Sequence, residues 1–522
     1  MPRPAKSLLR PSAHSAPLRY LFLFSFLVFG SASCSHQTHE SSSLTFLIES
    51  SPTTLDPRFA TDSQAQRIDA LLFSGLVSRD ENMLLHGDLA DSWDTPNPTT
   101  YIFHLHPNIH FHDGRPLTSA DVKSTFDFIL DPKNASPKRG AFRLVTSIDA
   151  PDPLTVIFHL SEPYASFLTN LMPLNAGVVP ANAPANFARH PIGSGPFRFV
   201  RQSQDDEVVL ERNESYFRTP PQLTTVRFRV VPDAVVRALE LRKGSADLET
   251  TSLSPDIIPA LLRQPTLALT DRPGTNFAYL GINLEDATLS RKEIRQALAF
   301  ATDHDSLIRY LLRGYARPAS GILPPNHWAY EPTVVLYPFD PARAEKLLDA
   351  AGFPRAANGS RIHLTLKCST DEQARLIGAA LQEQWRRVGI DLELRPLELA
   401  TLLSDVARGN FQLTYLRWVG ANNDPDAFEF FFSSKRFPPN GANRGHYRSA
   451  RMDALTDQIR VEMDRTKRKE LCSEAQKLFA EDLPYIPLWF TDVVSVHSRS
   501  LGDLHLSPTG DYDFLTNLSS AR

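Results

Sequence analysis

Segments in which apolar and polar residues alternate predict β-strands at several points along the chain. The clearest alternations lie at residues 101–105 and 154–160, where every second side chain is apolar. An alternation of period two places the apolar side chains on one face of a strand. Both segments are therefore predicted as half-buried strands.

Apolar residues that recur every three or four positions predict helices between such strands. The predicted helices lie at residues 119–130, 341–351 and 370–388, and a strand is predicted directly after the last of them, at 390–395. Ser290 and Glu293 have the spacing of a capping box and predict the start of a further helix. No internal repeat of 20–50 residues is visible in the sequence, which excludes a solenoid or propeller. The pattern indicates an α/β or α+β protein.

The N-terminus has the pattern of a secretory signal peptide. Four basic residues precede an apolar stretch at 20–29, and the small residues 30–33 follow it. Ten residues rise only about 15 Å as a helix, which is half of the bilayer core, so a membrane span is not expected. Residues 1–33 are therefore predicted to be a signal peptide, and the protein is predicted to be exported to the periplasm or the cell surface.

Cys34 follows the small residues directly, which resembles a bacterial lipoprotein signal in which this cysteine carries the lipid. The pattern departs from the usual one at Ser31, where an aliphatic residue is expected. We predict lipidation of Cys34 and a tether at 34–43; the alternative is an ordinary signal peptide cut nearby. Removal of residues 1–33 changes the formal net charge from -4 to near -8.

Composition excludes several classes of protein. The 522 residues are 42% hydrophobic, which excludes a disordered chain and allows two or three domains. A mean hydropathy of -0.25 excludes a multispanning membrane protein, and a pI near 6.5 gives no basic surface for nucleic acid. Three cysteines cannot form a disulfide scaffold. Cys368 and Cys472 are predicted to be buried free thiols, with a long-range disulfide as the alternative.

Eight sequence blocks, in order along the chain, carry a resemblance to a known family. They are TLDPRFATDS at 54–63, GDLADSW at 87–93, YIFHLHPNIHFHDGRPLTSADV at 101–122, PIGSGPFRF at 191–199, IRQALAFATDHDSLI at 294–308, FDPARAEKLLDAAGF at 339–353, RWVGANNDPDAF at 417–428 and LPYIPLW at 483–489. Together these blocks resemble the family 5 extracellular solute-binding proteins, the peptide-, dipeptide- and nickel-binding receptors of bacterial ABC importers. The resemblance covers nearly the whole mature chain.

The resemblance implies an α/β fold with two lobes, of the periplasmic-binding-protein type II, peptide-binding class, with an extra subdomain on the first lobe. Two crossing strands would join the lobes, near 276–283 and 483–494, and the ligand would be buried between the lobes when they close. The implied boundaries are 44–75, 175–275 and 484–522 for lobe I, 76–174 for the extra subdomain and 276–483 for lobe II.

The resemblance also implies the function. The protein is expected to capture a peptide or peptide-like solute and deliver it to an ABC permease and ATPase complex. It is expected to be a monomer with no cofactor, no metal, no nucleic-acid partner and no catalytic activity. The alternatives are an exported hydrolase or a ligand sensor without transport; the motifs H-E-x-x-H and G-x-S-x-G are absent from the sequence.

One block departs from the family pattern. In peptide-binding relatives, the residue three positions after the tryptophan is an aspartate that pairs with the ligand's α-ammonium, but here it is Ala421, and Arg417 replaces a common glycine. Because an enclosed ammonium without a counter-charge is costly, we hypothesise that a free peptide N-terminus is not recognised in the usual way. Either Asp424 or Asp426 supplies the carboxylate, or the ligand is anionic or uncharged and pairs with Arg417.

The predicted ligand-binding residues are Arg417, Trp418, Asn422, Asn423, Asp424 and Asn276. For Arg417 the alternative role is a solvated or locally paired arginine, and for Trp418 it is core packing. The four histidines at 104, 106, 110 and 112 have the spacing of bidentate metal sites on strands. However, His112 lies in the family's FHDG turn, and none of the four belongs to the pocket block.

Overall fold

The computed structural model describes residues 43–80, 83–184, 186–419 and 424–518. Cys34, Ala421, Asn422 and Asn423 lie outside the described residues. Within these ranges, no helix is both long and apolar enough to cross a membrane.

The strands of the described residues fall into one large sheet and two small ones. They are β1 (Ser43–Ile48), β2 (Val77–Arg79), β3 (Leu85–Gly87), β4 (Ala90–Asn97), β5 (Thr100–Leu105), β6 (Val145–Asp152), β7 (Thr155–Leu160), β8 (Phe197–Ser203), β9 (Glu207–Arg212), β10 (Thr225–Val230), β11 (Leu248–Thr250), β12 (Leu267–Ile282), β13 (Ala316–Pro318), β14 (Ile362–Ser369), β15 (Ile390–Leu397), β16 (Leu413–Trp418) and β17 (Tyr485–Ser498).

The helices lie between these strands and cover their faces. They are α1 (Ser63–Leu72), α2 (Ser119–Leu130), α3 (Phe167–Asn170), α4 (Pro173–Ala176), α5 (Ala234–Lys243), α6 (Ile258–Leu261), α7 (Lys292–Phe300), α8 (His304–Leu311), α9 (Pro341–Ala350), α10 (Glu372–Arg387), α11 (Leu399–Ala407), α12 (Ala427–Phe432), α13 (Ala450–Val461) and α14 (Arg465–Asp482). Five short 3-10 helices add to them among the described residues.

Two long antiparallel strands, β12 and β17, lie side by side within the large sheet. The sheet has the order β15-β14-β16-β12-β17-β11-β1-β10-β9-β8, and β13 also pairs with β17. The pairing of β12 and β17 runs from Leu267 and Ser498 at one end to Gly281 and Tyr485 at the other. The sheet therefore continues from one lobe to the other through these two strands.

Each lobe has its own hydrophobic core. The lobe I core packs β1, β8, β9, β10 and α1 against the C-terminal segment around Tyr512 and Leu515. The lobe II core packs helices α7 to α10 against β12, β14, β15 and β16, and Trp385 is fully buried within it. A further cluster on the other face of β12 includes Phe428, Phe432 and Cys472. These separate cores are those of a two-lobed α/β fold.

An additional compact unit lies between β2 and the segment that leads to β8. Its four-stranded sheet has the order β4-β5-β7-β6, and α2 packs on it. Its core reaches from Leu76 to Val178. The unit is fastened to lobe I by His112, whose backbone N–H donates to the Gly193 carbonyl.

The strands and helices predicted from the periodic patterns are present in the structure. The strands predicted at 101–105, 154–160 and 390–395 are β5, β7 and β15, and the helices predicted at 119–130, 341–351 and 370–388 are α2, α9 and α10. The predicted capping box was wrong, because α7 starts at Lys292 without a side-chain cap and Ser290 instead donates to the Ala287 carbonyl. Cys368 and Cys472 are buried free thiols, as predicted.

Candidate functional site

A cleft of about 760 Å³ lies between elements of the two lobes. Lobe I contributes Glu49 after β1, the start of α5 and the loop 251–257 after β11. Lobe II contributes the end of α8, the first turn of α10 and Arg417 in β16. Residues Thr491, Asp492, Val494 and Val496 of β17 form part of the lining. The cleft therefore involves both lobes and one of the two strands that connect them.

Acidic side chains outnumber basic ones in this cleft. The basic residues of the lining are Arg237 and Arg417, and the acidic residues of the lining are Glu49, Asp233, Glu249, Asp256, Asp371, Glu372 and Asp492. A concave surface lined by one sign of charge raises the local concentration of ions of the other sign. The cleft is therefore suited to a ligand that carries positive charge.

Several of these acids have a local structural role. Asp233 caps α5 by accepting from the backbone N–H groups of Val235 and Val236. Asp371 caps α10 in the same way through Ala374, and Asp256 pairs with Arg313 at 2.6 Å. These three side chains contribute to the field of the cleft, but their oxygens already have partners.

Asp492 differs from the other acids of the cleft. It is only 3% exposed, and neither of its carboxylate oxygens has a hydrogen-bond partner of good geometry among the described residues. The nearest cation is Arg317, whose Nη2 lies 3.4 Å from Oδ2. Burial, with a smaller contribution from Asp271, raises the pKa of Asp492 to about 6, while Arg317 and the backbone N–H of Gly274 oppose the shift. A buried carboxylate whose only partners are a long ion pair and a poorly aligned backbone N–H is costly in a folded protein.

Glu249 is a second buried acid of the lining. Its Oε1 accepts from the backbone N–H of Ser252 at 2.6 Å and from the Ser252 hydroxyl. Burial raises the pKa of Glu249 to about 7, although these hydrogen bonds oppose the shift. Its charge therefore responds to pH in the neutral range.

The two arginines of the cleft differ in how they are used. Arg237 is buried and donates to the carbonyls of Val231, Pro232 and Ser252. Arg417, by contrast, is exposed at the end of β16 and makes no ion pair with any residue that the structure describes. Arg417 is therefore the guanidinium available to a solute in the cleft.

Trp418, the next predicted residue, packs within lobe II. Its ring lies 4.5 Å from that of Phe431, and the guanidinium of Arg444 lies 4.9 Å from its centroid. It is half-buried and joins the apolar cluster around Phe428 and Phe432. These contacts match the packing alternative for Trp418, and a ligand role stays a prediction.

Asp424 is held by partners within the protein. Arg468 Nη2 donates to its Oδ1 at 2.5 Å, and the Ser166 hydroxyl donates to the same oxygen at 2.6 Å. Although burial alone raises the pKa of Asp424, Arg468 and Ser166 bring it below the ordinary value. Asp426 also lies near Arg468, at 3.6 Å, and burial together with Asp424 raises its pKa to about 6. Neither carboxylate lines the 760 Å³ cleft.

Asn276 lies in β12 directly opposite Thr491 of β17, one residue from Asp492. The structure thus places Asn276 and Arg417 near the cleft, and Trp418 and Asp424 in contacts outside its lining. Sequence reasoning missed Asp492, Glu249 and the first turn of α10. A signal for Asp492 was present, because it is the single acidic residue in the 14-residue strand YIPLWFTDVVSVHS, where aspartate is disfavoured.

The histidine cluster has local partners in the structure. His112 accepts from the Gly193 N–H through Nδ1 and donates from Nε2 to the Gly195 carbonyl, and burial lowers its pKa to about 4. His104 lies 3.0 Å from Asp94 on the neighbouring strand. Among the described residues, no group of three or more His, Cys, Asp or Glu side chains is placed to hold a metal ion.

Comparison with known proteins identifies relatives over most of the chain. Residues 85–438 match the model of the bacterial extracellular solute-binding proteins, family 5 Middle. The glutathione-binding protein GsiB of Pectobacterium atrosepticum is 30% identical over 475 residues, which cover 88% of this chain and 91% of that protein.

Solved structures show the same fold. The ABC transporter substrate binding protein CtaP of Listeria monocytogenes is 26% identical, has a TM-score of 0.83, and the match covers 92% of this chain and 99% of that one. DppA of Helicobacter pylori in complex with the peptide STSA is 23% identical and has a TM-score of 0.77. The match covers 92% of this chain and 98% of that one. These relatives are named as binding proteins.

Proposed function

Because the chain belongs to the family 5 bacterial extracellular solute-binding proteins, we propose that it is the substrate-binding component of an ABC importer and that its solute is a peptide or peptide-like compound. The observation that carries this proposal is the cleft of about 760 Å³ lined by both lobes. A cavity of this size is in the range of small-ligand sites. Capture of the solute would require no chemistry on it.

Capture is proposed to occur by closure of the lobes. The proposed crossing segments, near 276–283 and 483–494, overlap β12 and β17, and they would absorb the rotation between lobe I (44–75, 175–275 and 484–522) and lobe II (276–483). The subdomain at 76–174 would move with lobe I. A solute that touches both lobes shifts the equilibrium towards the closed state by its differential affinity for that state.

Arg417 is proposed to bind a carboxylate of the solute, such as a peptide C-terminus. Its guanidinium is exposed in the cleft, and bidentate pairing with a carboxylate is its favoured geometry. Calorimetry of trialanine and trialanine amide on the wild-type protein and Arg417→Gln tests this role. We expect the substitution to weaken trialanine about tenfold or more and trialanine amide little. Equal losses for both peptides would contradict it.

Mass spectrometry of the ligand that co-purifies with the protein tests the proposed solute class directly. Peptides or modified peptides in the bound fraction support the proposal, and a sugar or a metal chelate would contradict it. Glutathione belongs in the same measurement, because the similar GsiB proteins carry that ligand in their names.

The site of action is proposed to be outside the cytoplasm. Residues 1–33 would direct export, and Cys34 would carry a lipid that anchors the monomer to a membrane beside its permease and ATPase. Intact mass measurement of the wild-type protein and Cys34→Ala from membranes tests the anchor, since only the wild-type chain should gain the mass of a diacylglyceryl group. Solute uptake that needs the permease would distinguish transport from the alternatives of hydrolysis and sensing.

A further inference from the structure

We propose that the cleft receives a cationic group of its ligand, an ammonium or a guanidinium, on the carboxylate of Asp492. This inference rests on the proposed function, because it names the charge that the captured solute carries at one point of that same site.

The first argument is the state of Asp492 itself. The side chain lines the cleft and is buried, yet no described donor meets either oxygen with hydrogen-bond geometry. The nearest cation is Arg317, which lies 3.4 Å from one carboxylate oxygen of Asp492. The side chain of Arg317 is 49% exposed. Buried carboxylates are ordinarily well paired or hydrogen-bonded, so an ammonium or guanidinium in the cleft would complete the pairing of an acceptor that Arg317 and the Gly274 N–H meet only at long distance or with poor geometry.

The second argument is the backbone around Asp492. The register of β12 against β17 shifts between Arg272 and Asn276, so residues 273–275 form an irregularity beside Asp492. Gly274 makes this possible, because a Cβ atom there would lie 2.2 Å from the Thr491 carbonyl oxygen. The irregularity lies on the pair of strands that join the lobes. A cation bound at Asp492 would therefore lie where the two lobes meet.

The third argument is the electrostatic surrounding. Glu49, Glu249 and Glu372 line the same cleft, and the arginine available to a solute, Arg417, lies on another strand, β16. Several carboxylates around a cavity favour a cation and oppose a second anion beside them. Ala421 lacks the carboxylate that meets an ammonium in peptide-binding relatives, and Asp492 supplies one from a different strand.

Calorimetry on the purified wild-type protein, with three probes, tests the inference. The probes are trialanine, N-acetyl-trialanine and the non-peptide dication agmatine. We expect trialanine to bind about tenfold or more tightly than its acetylated form, because acetylation removes the ammonium. The isosteric variant Asp492→Asn should reduce the affinity for trialanine to that of the acetylated peptide.

Asp457→Asn is the matched control, since it makes the same isosteric change at an exposed side chain that pairs with Lys435 and lies outside the cleft lining. It should retain the preference for the free amine. Thermal unfolding of both variants establishes that they fold. If Asp492→Asn does not fold, Asp492→Ser takes its place, and equal binding of free and acetylated trialanine by the wild-type protein overturns the role of Asp492 without any variant.

The outcomes separate the inference from the proposed function. Equal binding of free and acetylated trialanine, or an Asp492→Asn variant that keeps the preference, would overturn the role of Asp492 and leave peptide capture standing. Binding of agmatine but of neither peptide, lost in Asp492→Asn, would overturn peptide capture and support the cation site. Binding of none of the three probes would overturn both.

Discussion

Asp492 is a buried acid in a strand whose other side chains are mostly apolar, and its burial has a cost in the absence of ligand. An aspartate in an unfolded chain ionises near pH 3.9, whereas burial raises the pKa of Asp492 to about 6. Since the folded state binds this proton more tightly, the wild-type protein gains stability as the pH falls through 6. Above pH 6 the buried charge costs about 3 kcal/mol at most.

We therefore expect Asp492→Asn to raise the free energy of unfolding of the ligand-free protein at pH 7.5, by up to about 3 kcal/mol. The gain should shrink as the pH falls from 6 towards 4. The charged groups that face Asp492 are Arg317 from β13 and Asp271 from β12, and both stay in place in the variant. Urea unfolding between pH 4 and 7.5 measures the effect. A variant that is less stable than the wild type at pH 7.5 would contradict the prediction.

Asp424 differs from Asp492, because its carboxylate forms a close ion pair with Arg468. The pair with Arg468 is buried, with side chains that are 15% and 7% exposed. Asp424→Asn removes the nearer of the two carboxylates that face the guanidinium and leaves Asp426 at 3.6 Å, so we expect a loss of up to about 3 kcal/mol in the free energy of unfolding. Asp457→Asn, which breaks an exposed pair with Lys435, is the control and should change stability by less than about 1 kcal/mol. Similar values for the two variants would argue against a buried structural pair.

Among the elements, the irregularity of β12 depends on one glycine. A Cβ at position 274 would collide with the backbone of β17, whereas one at Gly140 would meet no atom within 4 Å. We expect Gly274→Ala to lower the unfolding free energy by about 1–3 kcal/mol and to weaken solute binding, because the strands must separate at the cleft. Gly140→Ala should leave binding unchanged. Calorimetry and urea unfolding of both variants test this, and a Gly274→Ala protein with wild-type affinity would contradict it.

The elements themselves were predictable from local sequence, and the cleft was not. The strand β5 follows from apolar residues at every second position, and the helix α2 follows from apolar residues at every third or fourth position. Both patterns are properties of residues close together in the sequence. The start of α7 escaped prediction because the Ser290 hydroxyl bonds to the preceding turn, which the spacing to Glu293 does not reveal. Arg417 was found through the family pattern, but Asp492 reaches the cleft through pairing between strands more than 200 residues apart.

At the scale of the whole molecule, contacts bridge the subdomain and lobe II. Arg460 of α13 pairs with Glu162 at 2.6 Å, and its carbonyl accepts from the Ala165 N–H. Arg468 of α14 donates to the Ser166 hydroxyl at 2.9 Å. If the subdomain moves with lobe I, as proposed above, these contacts hold the two lobes in their present arrangement.

We expect Glu162→Gln to change the binding of trialanine by up to about fivefold, since a partly exposed pair contributes up to about 1 kcal/mol to the arrangement in which the subdomain contacts lobe II. Glu474→Gln removes a pair with Arg451 that lies within lobe II and serves as the control. Calorimetry, combined with small-angle scattering of the ligand-free proteins, measures both affinity and opening. Equal affinities and equal radii of gyration for the two variants would refute the bridging role.

The position of β17 also has a consequence for folding during synthesis. This strand is the last of the described strands along the chain, yet it lies between β12 and β11 in the middle of the large sheet. A ribosome makes the chain from the N-terminus, so both lobes must wait for residues 485–498 before their shared sheet can form. Long-range pairing of this kind makes folding slow. A nascent chain that has not reached residue 485 therefore lacks the strand that contributes Thr491 and Asp492 to the cleft, and a chaperone that delays its collapse has time to act.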